Sequence, residues 1–423
     1  MDLYVPSWAE VIVEGRARIV APKRELFLRE DGVYEPSHAP VFYNPVMVFN
    51  RDLMVALLNI YSRSMARIST ASDPMAATGV RGIRIALEVE GVSEIFLNDI
   101  DPTACRIAKL NVVINSLMGV SRIYCEDSNQ HMISLSKSGI HVDFLDIDPY
   151  GSPSPFIESA VRLPKIGGLL AMTATDLGPL TGRYPAKVYR RYHATTTRDL
   201  DFGKEAGLRI LVAHSIIKAS ERDIALKPVM AYYADHYYRA YFSIDRGASK
   251  ADALLKRLGY IVVCKGCGYR SVATEVEDLR CPVCGLRAIT LGPLWLGSLA
   301  DREILARLSR AEEDFPWLQT RERISSLAKI LLSEEDVGRP YYYKVDSVAR
   351  VVKSNMPPIG ELIECLRSMG YRVSRTHFDR IGVRTDADFK DIASCIRSRG
   401  VVRRQGLEAS SSGSLVSSSR REV

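Results

Sequence analysis

The stretch IFLNDIDPTACRIAKLNVVINSLM, residues 95–118, contains the pattern that decides the fold. A short apolar run ends at Asn98 and Asp99, and apolar residues at helical spacing follow it. DFLDIDP (143–149) and GGLLAMTATD (167–176) are similar apolar runs that end in acidic or small residues, and the SPFIESAVRLP segment between them has helical spacing. Strands alternating with helices predict an α/β fold, in which helices cover both faces of a parallel sheet.

Ligands of such sheets bind beyond the carboxyl ends of the strands, so the polar residues there are candidate site residues. The stretch DPMAATGVRGIR, residues 73–84, predicts a strand end, a loop of small residues and a helix. Gly79 and Gly82 allow the backbone to approach a ligand closely, and the helix start directs N–H groups toward it. The stretch lacks the full G-x-G-x-x-G pattern, which disfavours a nicotinamide cofactor. A plain strand-to-helix turn is the alternative.

Two acids near strand ends are candidates for binding a nucleoside. Asp99 lies 20 residues after Gly79, the spacing at which an acid binds ribose hydroxyls. Asp101 could take this role instead, or could only cap the following helix. Asp127, in CEDSN, could accept a hydrogen bond from an adenine amine, or could simply be a turn residue.

The most specific candidate is DIDPYG, residues 146–151. Asp148 can accept a hydrogen bond and a proton, the carbonyls around Pro149 can accept further bonds, and Tyr150 offers a stacking surface. This combination suits a planar base whose exocyclic amine is methylated, because that weak nucleophile needs acceptors and close placement. Asp146 is a competitor on the same strand face, but only Asp148 adjoins the Pro-Tyr turn. An ordinary turn is the alternative.

Two C-x-x-C pairs, Cys264 with Cys267 and Cys281 with Cys284, are separated by 13 residues. This spacing predicts one tetrahedral structural zinc site with no open position for catalysis, and a redox pair is the alternative. The remaining cysteines lie on apolar patterns, which predicts that they are buried as small hydrophobic residues: Cys105, Cys125, Cys365 and Cys395.

Composition is typical of a soluble globular protein of two or three domains, with 423 residues, 47% hydrophobic and 25% charged. The sequence contains no pattern of a signal peptide, and its longest apolar stretch, residues 166–174, is only strand-sized. We therefore expect a cytoplasmic protein without a membrane segment, and no obligatory protein partner is evident.

Positive charge is concentrated near the C-terminus. Residues 341–423 contain 15 basic and 9 acidic residues, which gives +6 of the total net charge of +7. Such a region favours docking of a polyanion, with a solvated surface as the alternative. Helix-like segments followed by two short strand-like segments suggest a winged-helix arrangement, and the Ser-rich tail, residues 406–423, is expected to be disordered.

Two further groups of cations could contact RNA phosphates. The stretch RYPAKVYRRYH, residues 183–193, alternates cations with aromatic residues. Arg375, His377 and Arg384 lie on the predicted wing. The stretch HYYR, residues 236–239, is expected to mix core residues with residues at the rim of the site.

Several stretches together resemble the tRNA (guanine(26)-N(2))-dimethyltransferases, class I enzymes that use S-adenosylmethionine. The resemblance covers nearly everything from about residue 14 to 390. It rests above all on FYNPVMVFNRD with DPYGSP, supported by ATGVRGIR, LNDIDP, CEDSN, TATDLGPLTG, HYYRAYF, GPLWLG, SRTHFDRIGVRTDA and the cysteine pairs.

The resemblance implies a role for each matching residue. The residues implied to contact S-adenosylmethionine are Arg51, Arg81, Asp99, Asp127 and Ser128. Arg51 and Arg81 would clamp the donor carboxylate, Asp99 would bind the ribose and Asp127 the adenine. Asp148 would accept from the target amine at the Pro149 turn, with Phe42 and Tyr150 on either side of the guanine. Ser128 stands where the family often has Ala, and Tyr150 where some members have Phe.

The resulting prediction is a class I (Rossmann-like) methyltransferase domain at residues 1–300, with a zinc module at about 261–286. A smaller, basic α+β domain at residues 301–405 would bind tRNA. The predicted activity is one and then a second methylation of N2 of a tRNA guanine, which must first flip out of its stack. The alternatives are an amino-methyltransferase for another RNA or DNA base and an RNA-binding protein without activity.

Overall fold

The computed structural model describes residues 5–275 and 279–400. A hairpin of β1 (Ala9–Glu14) and β2 (Ala17–Pro22) precedes the central sheet. The strands of that sheet are β3 (Thr70–Asp73), β4 (Glu94–Asn98), β5 (Ser121–Tyr124), β6 (Val142–Ile147), β7 (Pro164–Ala174), β8 (Ile224–Ala234) and β9 (Tyr237–Arg246). Their order is β5-β4-β3-β6-β7-β9-β8.

The central sheet is parallel from β5 to β7, and β9 then runs antiparallel to β7 and β8. The predicted α/β fold with a mostly parallel sheet is therefore confirmed. The strand order reverses at β3, which lies between β4 and β6, and such a reversal opens a crevice at the carboxyl ends of the strands.

Helices cover both faces of the sheet. They are α1 (Val48–Ser64), α2 (Val80–Glu88), α3 (Pro102–Ile114), α4 (Ser128–Lys137), α5 (Ile157–Ala160), α6 (Leu177–Leu180), α7 (Pro185–Tyr192), α8 (Gly203–Ser220) and α9 (Ala248–Leu255). Side chains alternate along each strand, so Phe144 packs in the core beneath α1 and Leu145 in the core beneath α8. Burial on both faces explains why these strands are continuous apolar runs.

The cysteine pairs belong to a separate antiparallel sheet of β10 (Leu258–Val263), β11 (Arg270–Ala273) and β12 (Ile289–Trp295), in the order β11-β10-β12. The first pair lies between β10 and β11, and the second lies between β11 and β12.

Three helices follow: α10 (Arg302–Leu308), α11 (Ala311–Asp314) and α12 (Arg321–Val337). They share a hydrophobic core with α1, in which Ile304 and Ile324 pack with Leu53. The Thr320 N–H and hydroxyl donate to Asp52 in α1 at 2.9 and 2.8 Å. A domain boundary at residue 300 stays a prediction, because these helices pack on the preceding part of the chain.

The small C-terminal region comprises β13 (Tyr343–Lys344), α13 (Val345–Val351), α14 (Ile359–Ser368), β14 (Val373–Arg375), β15 (Gly382–Thr385) and α15 (Phe389–Gly400). Its antiparallel sheet has the order β13-β15-β14. A smaller α+β region after the central sheet is thus confirmed. The winged-helix interpretation of this region stays a prediction. The predicted disordered tail, residues 406–423, lies outside the described residues, as do residues 401–405 of the predicted RNA-binding domain.

Four cysteines were predicted to be buried as small hydrophobic residues, but only Cys395 of the four is buried, and all four form disulfides. Cys105 forms a disulfide with Cys125, and Cys365 forms one with Cys395. The partners lie 20 and 30 residues apart in the chain, and a local apolar pattern contains no information about such pairing.

Across the described residues, no helix combines the length and the apolar character that a membrane span requires.

Candidate active site

Acidic side chains converge at the carboxyl ends of neighbouring strands. Asp73 ends β3, Asp99 follows β4, Asp127 follows β5, and Asp148 follows β6. The Asn98 amide links two of these strand ends by donating to Pro74 O at 3.1 Å and Glu126 O at 3.0 Å. The candidate site therefore surrounds the point where the strand order reverses.

Asp148, the predicted acceptor, is partly exposed and forms an ion pair with Arg81, which lies on α2 and is 5% exposed. Burial opposes ionisation of Asp148, but the positive charges of Arg81 and Arg239 outweigh it, so the pKa of Asp148 is lowered. Asp148 is consequently a carboxylate at neutral pH and can accept a hydrogen bond from an amine.

Asp146 precedes Asp148 by two residues, so both lie on the same face of the strand. Asp146 is fully buried. Arg239, on β9, donates to both of its oxygens at 2.6 and 2.7 Å, and Arg81 is 3.1 Å from Oδ2. A buried chain of alternating charges thus runs from Arg239 through Asp146 and Arg81 to Asp148. Because Asp146 is enclosed by these arginines, it is less available to a substrate than Asp148.

Asp73 is the third carboxyl group of this cluster and is 2% exposed. Its pKa is raised to about 7, because burial and the negative charges of Asp146 and Asp148 outweigh the positive charge of Arg81. Asp73 was not predicted as a site residue. It ends a strand just before the glycine loop, so the same expectation that acids at strand ends face the ligand, used for Asp99, would have identified it.

The predicted glycine loop forms between β3 and α2. Ala77 and Gly79 have positive φ values of 48° and 77°, so the loop turns sharply and Gly79 begins α2 in the left-handed conformation. Asp99 lies against this loop, with Oδ2 accepting from the Ala77 N–H at 2.7 Å. Asp101 instead caps α3 by accepting from the Thr103 N–H, which is the alternative considered for it.

Asp127 and Ser128 lie at the start of α4. Asp127 is exposed and caps the helix through Oδ1, which accepts from the N–H groups of Asn129 and Gln130 at 2.9 and 3.0 Å. The Ser128 hydroxyl donates to Pro74 O at 2.8 Å, which ties this helix to the loop after β3. A ligand contact of Ser128 would therefore involve its backbone more readily than its hydroxyl.

Arg51, in the first turn of α1, is paired with the buried Glu14 of β1. Its Nε and Nη2 donate to the two Glu14 oxygens at 2.5 and 2.6 Å. Burial opposes ionisation of Glu14, but Arg51 and then Arg84 lower its pKa to about 2. Nη2 also donates to Asn44 O at 3.1 Å, which leaves Nη1 as the nitrogen that a donor carboxylate would contact.

Phe42 and Tyr150 are in direct contact, with ring centroids 4.8 Å apart at 79°. This edge-to-face arrangement differs from the predicted sandwich. A base between two parallel rings requires roughly 7 Å between the ring planes, twice the contact distance of carbon atoms. Tyr150 is 69% exposed, so its ring can move outward to admit a base.

The residues present fit S-adenosylmethionine. Asn50 Nδ2 and Thr78 Oγ1 are buried polar atoms without a hydrogen-bond partner in the described part of the chain. Asn50 also accepts from Arg81 at 2.8 Å, which places its amide donor beside a cation. A ligand with a carboxylate and a ribose would satisfy such donors and the Asp99 carboxylate together.

The four cysteines of the C-x-x-C pairs are brought together. Their sulfur atoms lie within 4.8 Å of one another, and three of the four residues are buried. Sulfur ligands of one tetrahedral zinc ion lie roughly 3.8 Å apart when each Zn–S bond is about 2.3 Å. The site formed by Cys264, Cys267, Cys281 and Cys284 can therefore hold a structural zinc ion, as the spacing predicted.

Two predicted phosphate contacts were wrong. Arg384 is 2% exposed and pairs with the buried Glu205 at 2.8 Å, and His377 is 2.8 Å from Glu334. Both side chains join the C-terminal region to the rest of the protein. Only Arg375 of that group is exposed.

Arg239 belongs to the stretch HYYR, which was expected to mix core and rim residues, but its pairing with Asp146 was not predicted. Arg239 lies on β9 between the buried Tyr238 and Ala240, and is itself fully buried. The sequence does contain an indication of this pairing, because Arg239 lies within a continuous apolar and aromatic strand. A buried arginine in such a strand needs a buried carboxylate as its partner.

Comparison with known proteins places this geometry in a family. The family model described as N2,N2-dimethylguanosine tRNA methyltransferase matches residues 15–397. Two relatives named tRNA (guanine(26)-N(2))-dimethyltransferase, from Sulfolobus acidocaldarius and Aeropyrum pernix, are each 38% identical. The alignments cover 91% and 94% of this chain and 97% and 98% of those proteins.

A solved structure is also similar: Trm1 from Pyrococcus horikoshii in complex with S-adenosyl-L-methionine. It has a TM-score of 0.78 and 33% sequence identity, with 92% of this chain and 100% of that chain covered. On this evidence, the chain belongs to the N2,N2-dimethylguanosine tRNA methyltransferase family.

Proposed function

We propose that this protein transfers methyl groups from S-adenosylmethionine to N2 of a guanine in tRNA, at position 26. It adds one methyl group and then a second. The observation that carries this proposal is the ionised Asp148 at the carboxyl end of β6, beside two aromatic rings and across from the glycine loop, in a chain of this family.

The donor would occupy the crevice between the glycine loop and α4. Asp99 would bind the ribose, and Asp127 would accept from the adenine amine through the oxygen that does not cap α4. Asn50 and Nη1 of Arg51 would contact the carboxylate. When bound, S-adenosylmethionine supplies an electrophilic methyl group. Arg81 remains a candidate for the carboxylate clamp, although its present partners are acids of the protein.

The target guanine would enter between Phe42 and Tyr150 after these rings separate. Stacking would hold the base in a fixed plane, and the acceptors around Pro149 would orient its amine. Guanine N2 is a poor nucleophile because its lone pair is delocalised into the ring. An acceptor on the amine is therefore needed as positive charge develops there.

Asp148 would accept the proton that the amine loses when its new N–C bond forms. The ion pair with Arg81 fixes the carboxylate and keeps it ionised before the reaction. The same proton transfer serves the second methylation, after the proton has left Asp148 for solvent. Asp148 would thus act once for each methyl group.

The partner would be tRNA, docked in part by the basic C-terminal region. A winged-helix arrangement of α13 to β15 would present this region to the RNA. A cytoplasmic location belongs to the same proposal, since tRNA and the methyl donor are available there.

The deciding experiment is nucleoside analysis by mass spectrometry of tRNA incubated with the enzyme and S-adenosylmethionine. N2-methylguanosine is expected first and N2,N2-dimethylguanosine later, and both should disappear when guanine 26 is replaced by adenine. Methylation of adenine or cytosine would support a different amino-methyltransferase. Donor binding without any methylated nucleoside would contradict the proposal.

A further inference from the structure

Helix α7 lies directly beside the catalytic turn, and hydrogen bonds join the two. Tyr192 Oη is 2.7 Å from Ser152 Oγ and also donates to Asp176 at 2.8 Å. Ser154 Oγ donates to Arg191 O at 3.0 Å. Because these bonds attach the end of α7 to the chain just after Tyr150, the helix has a fixed position relative to the target base.

The outer face of α7 is basic and aromatic. We define the α7 face as Arg183, Tyr184, Lys187, Tyr189 and Arg190, all of them exposed. Tyr189 is 64% exposed and Tyr184 is 41% exposed, whereas large rings in this protein are mostly buried. Val188 and Tyr192 are the buried side chains that anchor the helix.

The cations of the α7 face have no carboxylate partner within residues 5–275 and 279–400. Arg183 and Lys187 contact the Tyr184 ring at 5.5 and 4.9 Å, and neither they nor Arg190 form an ion pair there. Exposed cations elsewhere often have such partners, as Arg222 has in Glu158 at 2.9 Å. Three unneutralised cations around exposed rings form a surface of net positive potential.

The α7 face continues into a cavity of about 640 Å³ between the catalytic fold and the C-terminal region. Arg183 lines it together with Arg198, Lys204 and, from the C-terminal side, Lys344. The acids that line it are Asp199, Asp201 and Asp379. Asp201 is neutralised by Arg270, and Asp379 lies 3.9 Å from Lys344, so positive charge predominates.

We propose that the α7 face and this cavity hold the RNA strand that flanks the target guanosine. Phosphates would contact Arg183, Lys187 and Arg190, and an unstacked neighbouring base would lie on Tyr189. This inference rests on the proposed function and specifies which surface docks the substrate. RNA fits better than an acidic protein, because cations interleaved with exposed rings match alternating phosphates and bases.

The test is a triple variant, R183Q/K187Q/R190Q, with tRNA binding measured at several salt concentrations. We expect at least about tenfold weaker binding at low salt, and a log–log salt slope smaller in magnitude by roughly 2 to 3. S-adenosylmethionine affinity should stay within about twofold. The control is R63Q/R67Q/K137Q, which removes the same charge at the opposite ends of the strands and should bind tRNA like the wild type.

Tyr189→Ala provides a second measurement that does not change charge. It should weaken tRNA binding by roughly fivefold or more, and Tyr189→Phe should restore it, because stacking requires the ring and not the hydroxyl. Wild-type affinity and salt slope in the triple variant would overturn the inference, as would weaker binding with an unchanged slope. If the wild-type enzyme binds tRNA but methylates no guanine, the proposed function fails while these binding data still decide the role of α7.

Discussion

At the residue scale, the properties of Asp148 depend on side chains that are distant in sequence. Arg81 contacts it directly, and the nearby charge of Arg239, which pairs with Asp146, also lowers its pKa. A carboxylate in such a place would be protonated if burial alone decided its state, and the two arginines reverse that tendency.

Asp148→Asn tests the role of the carboxylate. The amide has a similar shape but cannot take a proton, so methyl transfer should fall by at least about 100-fold. S-adenosylmethionine affinity, measured by calorimetric titration, should change little. Asp146→Asn is the comparison variant. Nearly normal turnover of the Asp148→Asn enzyme would show that another group accepts the proton.

Arg239→Gln should alter the pH dependence of methylation. The reaction requires the Asp148 carboxylate, which is present above its pKa and lost as pH falls through it. Removing a positive charge that lowers this pKa should raise it, so the acidic limb of the kcat profile should shift to higher pH.

Arg239→Lys is the control because it retains the charge and should keep most of the wild-type pH profile. Thermal melting of both variants shows whether they fold. If the acidic limb of the pH profile is unchanged in a folded Arg239→Gln enzyme, Arg239 does not control the ionisation of Asp148.

At the element scale, the zinc module joins the two parts of the protein. Arg270, on β11, pairs with Asp201 and donates to Tyr342 O, and its guanidinium lies over the Phe202 and Tyr343 rings at 4.3 and 4.6 Å. The fold of β10 to β12 therefore supports the place where the C-terminal region meets α8.

Cys281→Ser, or removal of zinc by a chelator, should loosen this junction. A four-cysteine site contributes its binding energy to folding, so the melting temperature should fall and tRNA affinity should weaken. S-adenosylmethionine affinity should remain within a few-fold because the cysteines are not part of the donor crevice. Metal analysis that finds no zinc in fresh protein would refute the site.

At the scale of the whole molecule, the C-terminal region shares buried charges with the catalytic fold. Arg384 of β15 pairs with Glu205 of α8, and Tyr342 donates to Asp201 O at 3.0 Å. Glu205 keeps Arg209 of its own helix as a partner at 2.9 Å, but the charged partners of Glu334 in α12, His377 and Arg384, both lie in the C-terminal region. Glu334 is 4% exposed, so losing both partners would leave an uncompensated buried charge, which typically costs about 3–5 kcal/mol.

Deletion from residue 341 onward should therefore have two effects. The truncated enzyme should bind tRNA more weakly, with a shallower salt dependence, because 15 basic residues are lost with 9 acidic ones. It should also melt at a lower temperature, because both charged partners of the buried Glu334 are gone. A chain that ends at residue 400 is the control, and an unchanged melting temperature after deletion from residue 341 would show that the two parts are independent.

The strands, the acidic strand ends and the cysteine spacing could be predicted from sequence because each is a local pattern. An apolar run in which both faces are buried predicts a strand of a parallel sheet, and this identified β4, β6 and β7. The same reasoning placed Asp99 and Asp148 at one edge of the sheet, and the cysteine spacing predicted a site that the four sulfur atoms form.

What the sequence by itself determined is the order of the elements, the α/β fold and the residue types available at the strand ends. Only the tertiary structure decided which charges meet: Arg239 with Asp146, Arg81 with Asp148, and Arg384 with Glu205. It also decided that Cys105 bonds Cys125. The physical reason is that strand and helix periodicity depends on neighbouring residues, whereas ion pairs and disulfides depend on distances between segments that the chain topology alone brings together.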